Sequence, residues 1–294
     1  MLVMKFKTFE AKDYEALCDF LIELNKDDNS HINWNWARFE WMYEHPYTNK
    51  EQLSSIGLWK DDNKIVAATL FDMYFGEGYC ACLPKHMDLL PEVIEHAYKS
   101  LSDDEGFRLS ICDDNFHEIE TATKLGFNKV DQYETIMSLS LEKELPISLP
   151  SGFHFKDVDQ DEDVREIQWL FWQGFDHGND REEFEREEEP STSHRPHFNK
   201  RLSVGVVDAN NELVTLVGVW FINKTNYAYV EPVCTIPRCR KKGLAKAAIY
   251  EALNRARELG AKKAYVLSDM DFYANLGFKK ERHYTFYQRR PLGK

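Results

Sequence analysis

The chain has 294 residues, of which 43% are apolar and 30% are charged, and its formal net charge is −13. This composition is typical of soluble globular domains, and the acidic surplus argues against a nucleic-acid partner. No apolar run approaches the roughly 18 residues of a membrane span, and the first residues lack a secretory pattern. The six cysteines are scattered without a CxxC pair. We therefore expect a cytoplasmic protein with reduced thiols and no membrane partner.

Each half of the chain shows the same order of predicted elements. A strand at MKFKTFE precedes a helix in which Tyr14, Leu17 and Leu21 recur at helical spacing. A second helical stretch, a hairpin from Gly57, a strand, a helix, a strand and a short helix follow, and a last strand closes the half. The second half repeats this order from FHFKDV, with its hairpin from Gly205. A meander followed by alternating strands and helices predicts a mixed sheet covered by helices.

Two matching stretches indicate an internal duplication. TATKLGF and FYANLGF place Gly126 and Gly277 about 150 residues apart, and the two hairpins are separated by nearly the same distance. Between the halves, LEKELPISLPSGF reads as a linker because it combines prolines, a glycine and polar residues. We therefore predict two related domains, residues 1–148 and 149–294.

The segment VEPVCTIPRCRKKGLAKAAIYEAL, Val230 to Leu253, carries the strongest chemical signal. A strand ends near Ile236, a basic turn follows, and Gly243 opens a helix. The first turn of a helix leaves backbone N–H groups unpaired at the positive end of the dipole. A glycine there lets a ligand approach the backbone closely. The pattern predicts an anion site suited to phosphate, and a solvated basic turn is the alternative.

This segment resembles the acyl-CoA-binding loop of the GNAT N-acetyltransferases, Arg/Gln-x-x-Gly-x-Gly/Ala, in the stretch Arg240–Ala245. The family's terminal motif, aromatic-Tyr-x-x-x-Gly-Phe, is matched by Phe272–Phe278. The absence of GxGxxG and GxxxxGK[ST] makes Rossmann and P-loop folds weaker alternatives. The family's element order fits both halves. The resemblance therefore implies an α/β (α+β) protein with two tandem GNAT folds, each a mixed, mostly antiparallel central sheet flanked by helices.

The resemblance also implies acetyl-CoA as the co-substrate and no metal. A strand would pair its backbone with the pantetheine arm, and the amides of the following loop would bind the pyrophosphate. The residues implied in this contact are Val233, Cys234, Thr235, Arg240, Lys241, Lys242, Gly243, Leu244 and Ala245. Tyr273 would protonate the departing thiolate, and a purely structural core aromatic is the alternative.

The acceptor side is predicted less sharply. Glu231 would orient or deprotonate a primary amine of a small molecule or peptide, unless it faces solvent. The candidates for the acceptor pocket are Trp172, His177 and Trp220, although aromatics in such positions are more often core. The acidic run from Asp180 to Pro190 would attract a cationic amine, or else form a solvated surface.

The first half lacks both motifs. Its counterpart loop, CLPKHMDLLPEVIEH, has no glycine, and helix alignment puts Asp88 near the position of Gly243. Thr123 falls close to the position of Tyr273. We therefore expect one working site, in the second half. A non-catalytic acyl-CoA sensor remains the alternative, and the sequence leaves the acceptor and the oligomeric state open.

Overall fold

The computed structural model describes residues 4–45, 48–159, 163–187 and 196–291. The chain divides into two compact units. The first comprises Met1–Met137, Leu267–Met270 and Lys280–Lys294, and the second comprises Ser138–Val266 and Asp271–Lys279. None of the described helices is long and apolar enough to cross a membrane.

The elements follow the predicted order in both units. The strands are β1 (Lys5–Thr8), β2 (Gly57–Asp61), β3 (Lys64–Asp72), β4 (Tyr74–Cys82), β5 (Phe107–Cys112), β6 (Asn128–Ser140), β7 (His154–Asp157), β8 (Ser203–Val207), β9 (Leu213–Trp220), β10 (Tyr227–Thr235), β11 (Lys263–Leu267) and β12 (Lys279–Arg289). The helices are α1 (Tyr14–Leu24), α2 (Trp36–Tyr43), α3 (Leu90–Leu101), α4 (Phe116–Lys124), α5 (Val164–Gly174), α6 (Arg181–Glu187), α7 (Leu244–Glu258) and α8 (Asp271–Asn275).

The sheet of the first unit is antiparallel from β1 to β4, and β5 then runs parallel to β4. Every residue of Ile65–Phe71 in β3 is buried. Because successive strand residues point to opposite faces, helices must cover both faces of the sheet. Helices α1 and α3 both pack against β3. The predicted mixed sheet flanked by helices is confirmed.

The C-terminal strand departs from the expectation that the last strand of each half closes its own half. Strand β12 pairs antiparallel with β5 of the first unit, from Tyr284 opposite Cys112 to Arg289 opposite Phe107. The compact units therefore differ from a simple cut at residue 148, which stays a prediction about the sequence repeat. Two related repeats offer equivalent strand edges, so hydrophobic periodicity alone cannot tell which edge a strand will join.

The sheet of the second unit has the same design. Strands β7, β8, β9 and β10 are antiparallel neighbours, and β11 runs parallel to β10. All residues of β8 and β9 are buried, and helices α5 and α7 both pack against β9. The core of the unit therefore lies on both sides of these central strands.

Candidate active site

The parallel strands of the second unit are joined along only part of their length. Register pairs link Tyr227–Tyr229 of β10 with Lys263–Tyr265 of β11, and the pairing stops there. On its other side, β10 continues to pair with β9 as far as Thr235, after an irregularity between Val230 and Val233. The edge of β10 beyond Tyr229 is therefore available to a ligand that can supply strand-like hydrogen bonds.

The irregularity in β10 is supported by two residues of β9. A Cβ atom on Gly218 would lie 2.5 Å from Glu231 O, so only glycine allows this approach. Trp220 Nε1 donates a hydrogen bond of 2.8 Å to the same oxygen. Gly218 was not among the residues predicted from the sequence, although a glycine inside a strand indicates a bulge or a close backbone approach. The indole N–H of Trp220, a residue predicted in the acceptor pocket, thus helps to position the Glu231 backbone.

The predicted pantetheine-binding residues of β10 do not all turn their backbone groups towards the open edge. Ile236 N donates to Val214 O on the β9 side. Because backbone groups alternate along a strand, Cys234 shares that direction, whereas Val233 and Thr235 face the open edge. The Cys234 thiol is buried and lies 3.7 Å from Leu170 O. Burial raises its pKa to about 12, so it is a neutral packing group and not a nucleophile.

The Arg240 side chain ties the basic loop to helix α5. Its Nη2 donates to Gly174 O at 2.6 Å, and its Nε donates to Thr235 O at 3.1 Å. Gly174 permits this packing, since a Cβ atom there would lie 2.1 Å from Cys234 Sγ. The Arg240 guanidinium therefore positions the loop, and its contact with CoA stays a prediction.

The basic loop has the backbone geometry of an anion site. Lys241 and Gly243 both have positive φ, at 62° and 83°, which favours glycine at the second position. The first helical bond of α7 runs from Ala247 N to Gly243 O. The amides of the preceding helical residues, Leu244, Ala245 and Lys246, therefore have no intrahelical acceptor. Apart from Gly243 and its chain neighbours, no heavy atom of the described residues lies within 4 Å of a Cβ built there, so the approach to these amides is open on that side.

The cations of this loop are not equivalent. Arg238 pairs with Glu212 at 2.5 Å and approaches Asp208 at 3.6 Å, and Arg240 lies 3.5 Å from Asp176. Lys241 and Lys242 are exposed, and neither pairs with a carboxylate among the residues that the structure describes. The positive charge available to a ligand therefore comes from the two lysines.

Tyr273 lies on α8 with its side chain 8% exposed. Its ring packs against Phe272 and Phe278, with centroids 5.0 Å and 5.7 Å away. Burial, followed by the negative charge of Glu231, raises the pKa of the Tyr273 phenol to about 12. At neutral pH the phenol therefore keeps its proton, and a carboxylate lies close enough to influence it. Glu231 therefore lies within electrostatic reach of the Tyr273 phenol, and the catalytic roles of both residues stay a prediction.

The predicted acceptor pocket is only partly assembled. Trp172 is buried on α5, and the exposed His177 ring lies 5.2 Å from its ring. The Trp220 ring instead lies near the Phe198 ring, with centroids 5.9 Å apart, and its N–H is bound to Glu231 O at the irregularity in β10. In the acidic run, Arg165 and Arg181 both pair with Glu185, and residues 188–190 lie outside the described residues. Only part of the run therefore carries uncompensated charge.

The loop of the first unit lacks the anion site, and its register needs a correction. The residue before α3 is Leu89, not Asp88, and its φ of −77° is right-handed. Leu90 N already donates to Met87 O, and Pro91 has no N–H. Helix alignment by sequence was displaced by one residue because a 3-10 turn, Pro84–Leu89, runs directly into α3.

The counterpart of Tyr273 also needs a one-residue correction. Phe127 N donates to Ala122 O as Phe278 N donates to Tyr273 O, so Ala122, and not Thr123, is equivalent. One turn earlier, Glu118 is 2% exposed, and Asn115 Nδ2 donates to its Oε2 at 2.8 Å. Burial raises the Glu118 pKa to about 8. The first unit thus has no phenol at this place.

Comparison with known proteins finds a family match that covers this site. Residues 162–278 match the family model for the acetyltransferase (GNAT) family. The match includes the loop and terminal motifs from which the sequence predicted a resemblance to this family. No significant match was found among curated protein sequences.

Solved structures show the same fold over nearly the whole chain. A GCN5-related N-acetyltransferase from Sphaerobacter thermophilus is 14% identical, with a TM-score of 0.61 over 98% of this chain and 96% of that one. A tandem GNAT protein from the clavulanic acid biosynthesis pathway is 14% identical, with a TM-score of 0.59 over 99% and 100%. Saccharomyces cerevisiae N-myristoyltransferase with bound myristoyl-CoA gives 14% identity and a TM-score of 0.53 over 98% and 80%. At these identities the likeness concerns the fold alone.

Proposed function

We propose that the protein is an N-acetyltransferase that moves an acetyl group from acetyl-CoA to a primary amine of a small molecule or peptide. The observation that carries the proposal is that the buried Tyr273 phenol lies within electrostatic reach of Glu231, on the strand whose edge β11 leaves open. A sensor that only bound acyl-CoA would need the loop but not this acid–base pair. The cytoplasmic location remains part of the proposal.

Acetyl-CoA would bind mainly to backbone groups, first along the edge of β10 and then in the loop that follows it. The pantetheine arm would hydrogen-bond with the edge at Val233 and Thr235, and the pyrophosphate would bind the amides from Lys241 to Ala245. The exposed ammonium groups of Lys241 and Lys242 would add charge attraction. The left-handed turn and the open space at Gly243 favour this path.

The transfer would proceed by direct attack. Glu231, directly or through water, would take a proton from the acceptor ammonium, and the amine nitrogen would then attack the thioester carbonyl. An N–C bond forms, the C–S bond breaks, and Tyr273 donates its proton to the departing thiolate. As the amide forms, the nitrogen loses its second proton, which returns the Tyr273 phenolate to the phenol, and Glu231 releases the first proton to solvent.

A panel of primary amines with acetyl-CoA, monitored by released thiol, tests the proposal. We expect thiol release that depends on the amine and an N-acetylated product by mass spectrometry. Gly243→Glu should abolish both, because it adds a carboxylate and strains a left-handed position. Tight acetyl-CoA binding without any amine-dependent release across the panel would favour the sensor.

We expect each chain to bind one acetyl-CoA, in the second unit. The first unit offers a proline and a bonded amide where α7 has free amides, a loss of about 4 kcal/mol for two hydrogen bonds to a charged group. That loss corresponds to roughly three decades in Kd. Titration calorimetry should give a stoichiometry near one. A stoichiometry near two, or heat that survives Gly243→Glu, would show that the first unit binds as well.

A further inference from the structure

A cleft of about 620 Å³ lies in the first unit, where β5 and β6 begin and β12 ends. Every residue that lines it belongs to this unit, so the cleft is separate from the residues of the proposed active site. Its volume is within the range of about 300–1,000 Å³ that is usual for small-molecule sites. The half-buried lining residues form what we call the floor, which consists of Arg108, Val130, Gln132 and Gln288.

The floor belongs to a row of polar side chains on one face of the sheet. Register pairs place Arg108 of β5 opposite Glu77 of β4 and Gln288 of β12, and directly paired residues share a face. Two residues further along the same face, Ser110 and Phe286 are 6% and 1% exposed. The row therefore marks the border at which the core of the first unit ends and the cleft begins.

The Arg108 guanidinium is fixed in place without a direct hydrogen bond to a carboxylate. Its Nη1 donates to Gln132 Oε1 at 3.1 Å, and Gln132 Nε2 donates in turn to Glu77 Oε2 at 2.8 Å. Arg108 Nη2 stays 4.0 Å from that carboxylate oxygen, and the arginine side chain is 32% exposed. The other N–H groups of the guanidinium have no acceptor among the described residues. Because a guanidinium can bind a carboxylate through two parallel hydrogen bonds, these spare donors suit an external carboxylate.

The rim of the cleft, which consists of its exposed lining residues, carries charges of both signs. Asp104, Glu105 and Asp131 contribute carboxylates, and Arg290 contributes a cation. None of these four side chains makes an ion pair within the part of the chain that the structure describes. Three carboxylates disfavour a polyanion such as a nucleotide, although the floor presents a guanidinium. A ligand with one carboxylate and one ammonium group meets both requirements.

The uncharged part of the lining is mostly amide. Gln288 Nε2 donates to Glu105 O at 3.3 Å, and its Oε1 has no donor among the described residues. The only apolar lining residues are Val130 and Pro291. Because an amide oxygen accepts from N–H groups, a ligand that contains amides fits this lining better than an aliphatic or aromatic ligand.

We propose that the first unit binds a short zwitterionic peptide in this cleft. The terminal carboxylate binds Arg108, with attraction from Arg290 at the rim, and a peptide N–H donates to Gln288 Oε1. The amino-terminal ammonium lies against the rim carboxylates of Asp104 and Asp131. A lone carboxylate would leave the rim uncompensated, and a lone amine would leave the guanidinium donors unused. The proposal does not depend on acetyl transfer, since all of these residues lie outside the second unit.

Three matched peptides test the class of ligand by NMR titration of the isotope-labelled protein. Triglycine has both charged ends, N-acetyltriglycine lacks the ammonium, and triglycinamide lacks the carboxylate. We expect triglycine to bind about tenfold or more tightly than either of the others, because each change removes hydrogen bonds to a charged group. Asp131→Asn should weaken the binding of triglycine and strengthen that of N-acetyltriglycine, since it removes a partner of the ammonium and a repulsion on the carboxylate.

Variants of the two arginines test the place of binding. Arg108→Gln should weaken triglycine by about tenfold or more, and Arg290→Gln, at an exposed position where the fold is not at risk, by about threefold or more. Lys129→Gln removes an exposed cation of β6 that does not line the cleft, and should keep the Kd within about twofold. The side-chain amide resonances of Gln288 should shift with triglycine in the wild-type protein and not in Arg108→Gln.

Two results would overturn the peptide site. One is equal binding of the three peptides, or triglycine binding that survives both arginine variants. The other is tighter binding of inorganic pyrophosphate than of triglycine, which would make the cleft a simple anion site. The proposed acetyl transfer is judged separately, because a shift of the Gln288 resonances requires no turnover and amine-dependent thiol release requires no triglycine.

Discussion

Replacing Tyr273 with phenylalanine should lower kcat by roughly 10²–10⁴ while the Kd for acetyl-CoA stays nearly unchanged. The change removes only the hydroxyl, which makes no hydrogen bond with a described residue. The packing with Phe272 and Phe278 is kept, and the cap of α8 uses the backbone carbonyl of Tyr273. Steady-state kinetics with calorimetry of acetyl-CoA binding would therefore isolate the proton transfer from folding.

Tyr250, a second tyrosine of the same unit, provides a control variant for Tyr273→Phe. Tyr250 Oη donates to Leu276 O at 2.8 Å, so Tyr250→Phe should lower the free energy of unfolding by about 1 kcal/mol with only a few-fold effect on rate. If Tyr273→Phe turned over within about threefold of the wild-type rate, a range too small for a lost general acid, Tyr273 would have no part in the mechanism.

Deleting Lys280–Lys294 should unfold the first unit. Strand β12 supplies the antiparallel partner of β5 and buries Tyr284 and Phe286, each 1% exposed. Truncating one large buried aromatic typically costs about 3–5 kcal/mol, and a whole domain is stable by only about 5–15 kcal/mol. Hydrogen exchange should show the loss of protection in β3, β4 and β5.

A peptide spanning residues 279–291 supplies the control. Added to the shortened chain, it should restore protection of β5, whereas a scrambled peptide should not. A shortened chain that kept the thermal unfolding midpoint of the full chain, with β5 still protected, would show that the first unit does not depend on β12.

Local features of the fold could be predicted because they depend on few residues. The positive φ of Gly243 and Gly277 and the helix that follows the basic turn are properties of single residues and their neighbours. Element order could also be predicted, since periodicity reports burial along one segment. These features were sufficient to find the resemblance to the GNAT family, whose model matches residues 162–278.

Pairing over long distances could not be predicted in the same way. The assignment of β12 to β5 depends on which of two similar edges offers the better partner, and no local pattern reports it. The one-residue displacement at Asp88 has a local cause, because a 3-10 turn runs directly into α3 and changes the count of residues per turn. The displacement at Thr123 has no structural cause, since aligning Gly126 with Gly277 in the sequence already places Ala122 opposite Tyr273.

The hydrogen-bond partners of polar side chains were the hardest feature to predict from the sequence. Arg240 reads as a phosphate ligand in the sequence, yet its guanidinium binds two carbonyl oxygens of its own unit. Trp220 reads as a pocket residue, yet its N–H holds the Glu231 carbonyl.

The open edge of β10 also bears on aggregation. A bare strand edge normally invites pairing with another polypeptide. Here the edge at Val233 and Thr235 begins where β10 separates from β11, to which it is still joined at Tyr227–Tyr229. A foreign strand would have to enter between two strands of one sheet, where it would meet backbone and side chains on both sides. A thin, flexible ligand arm has no such difficulty, so the protein can keep this strand edge for a ligand without offering it to its neighbours.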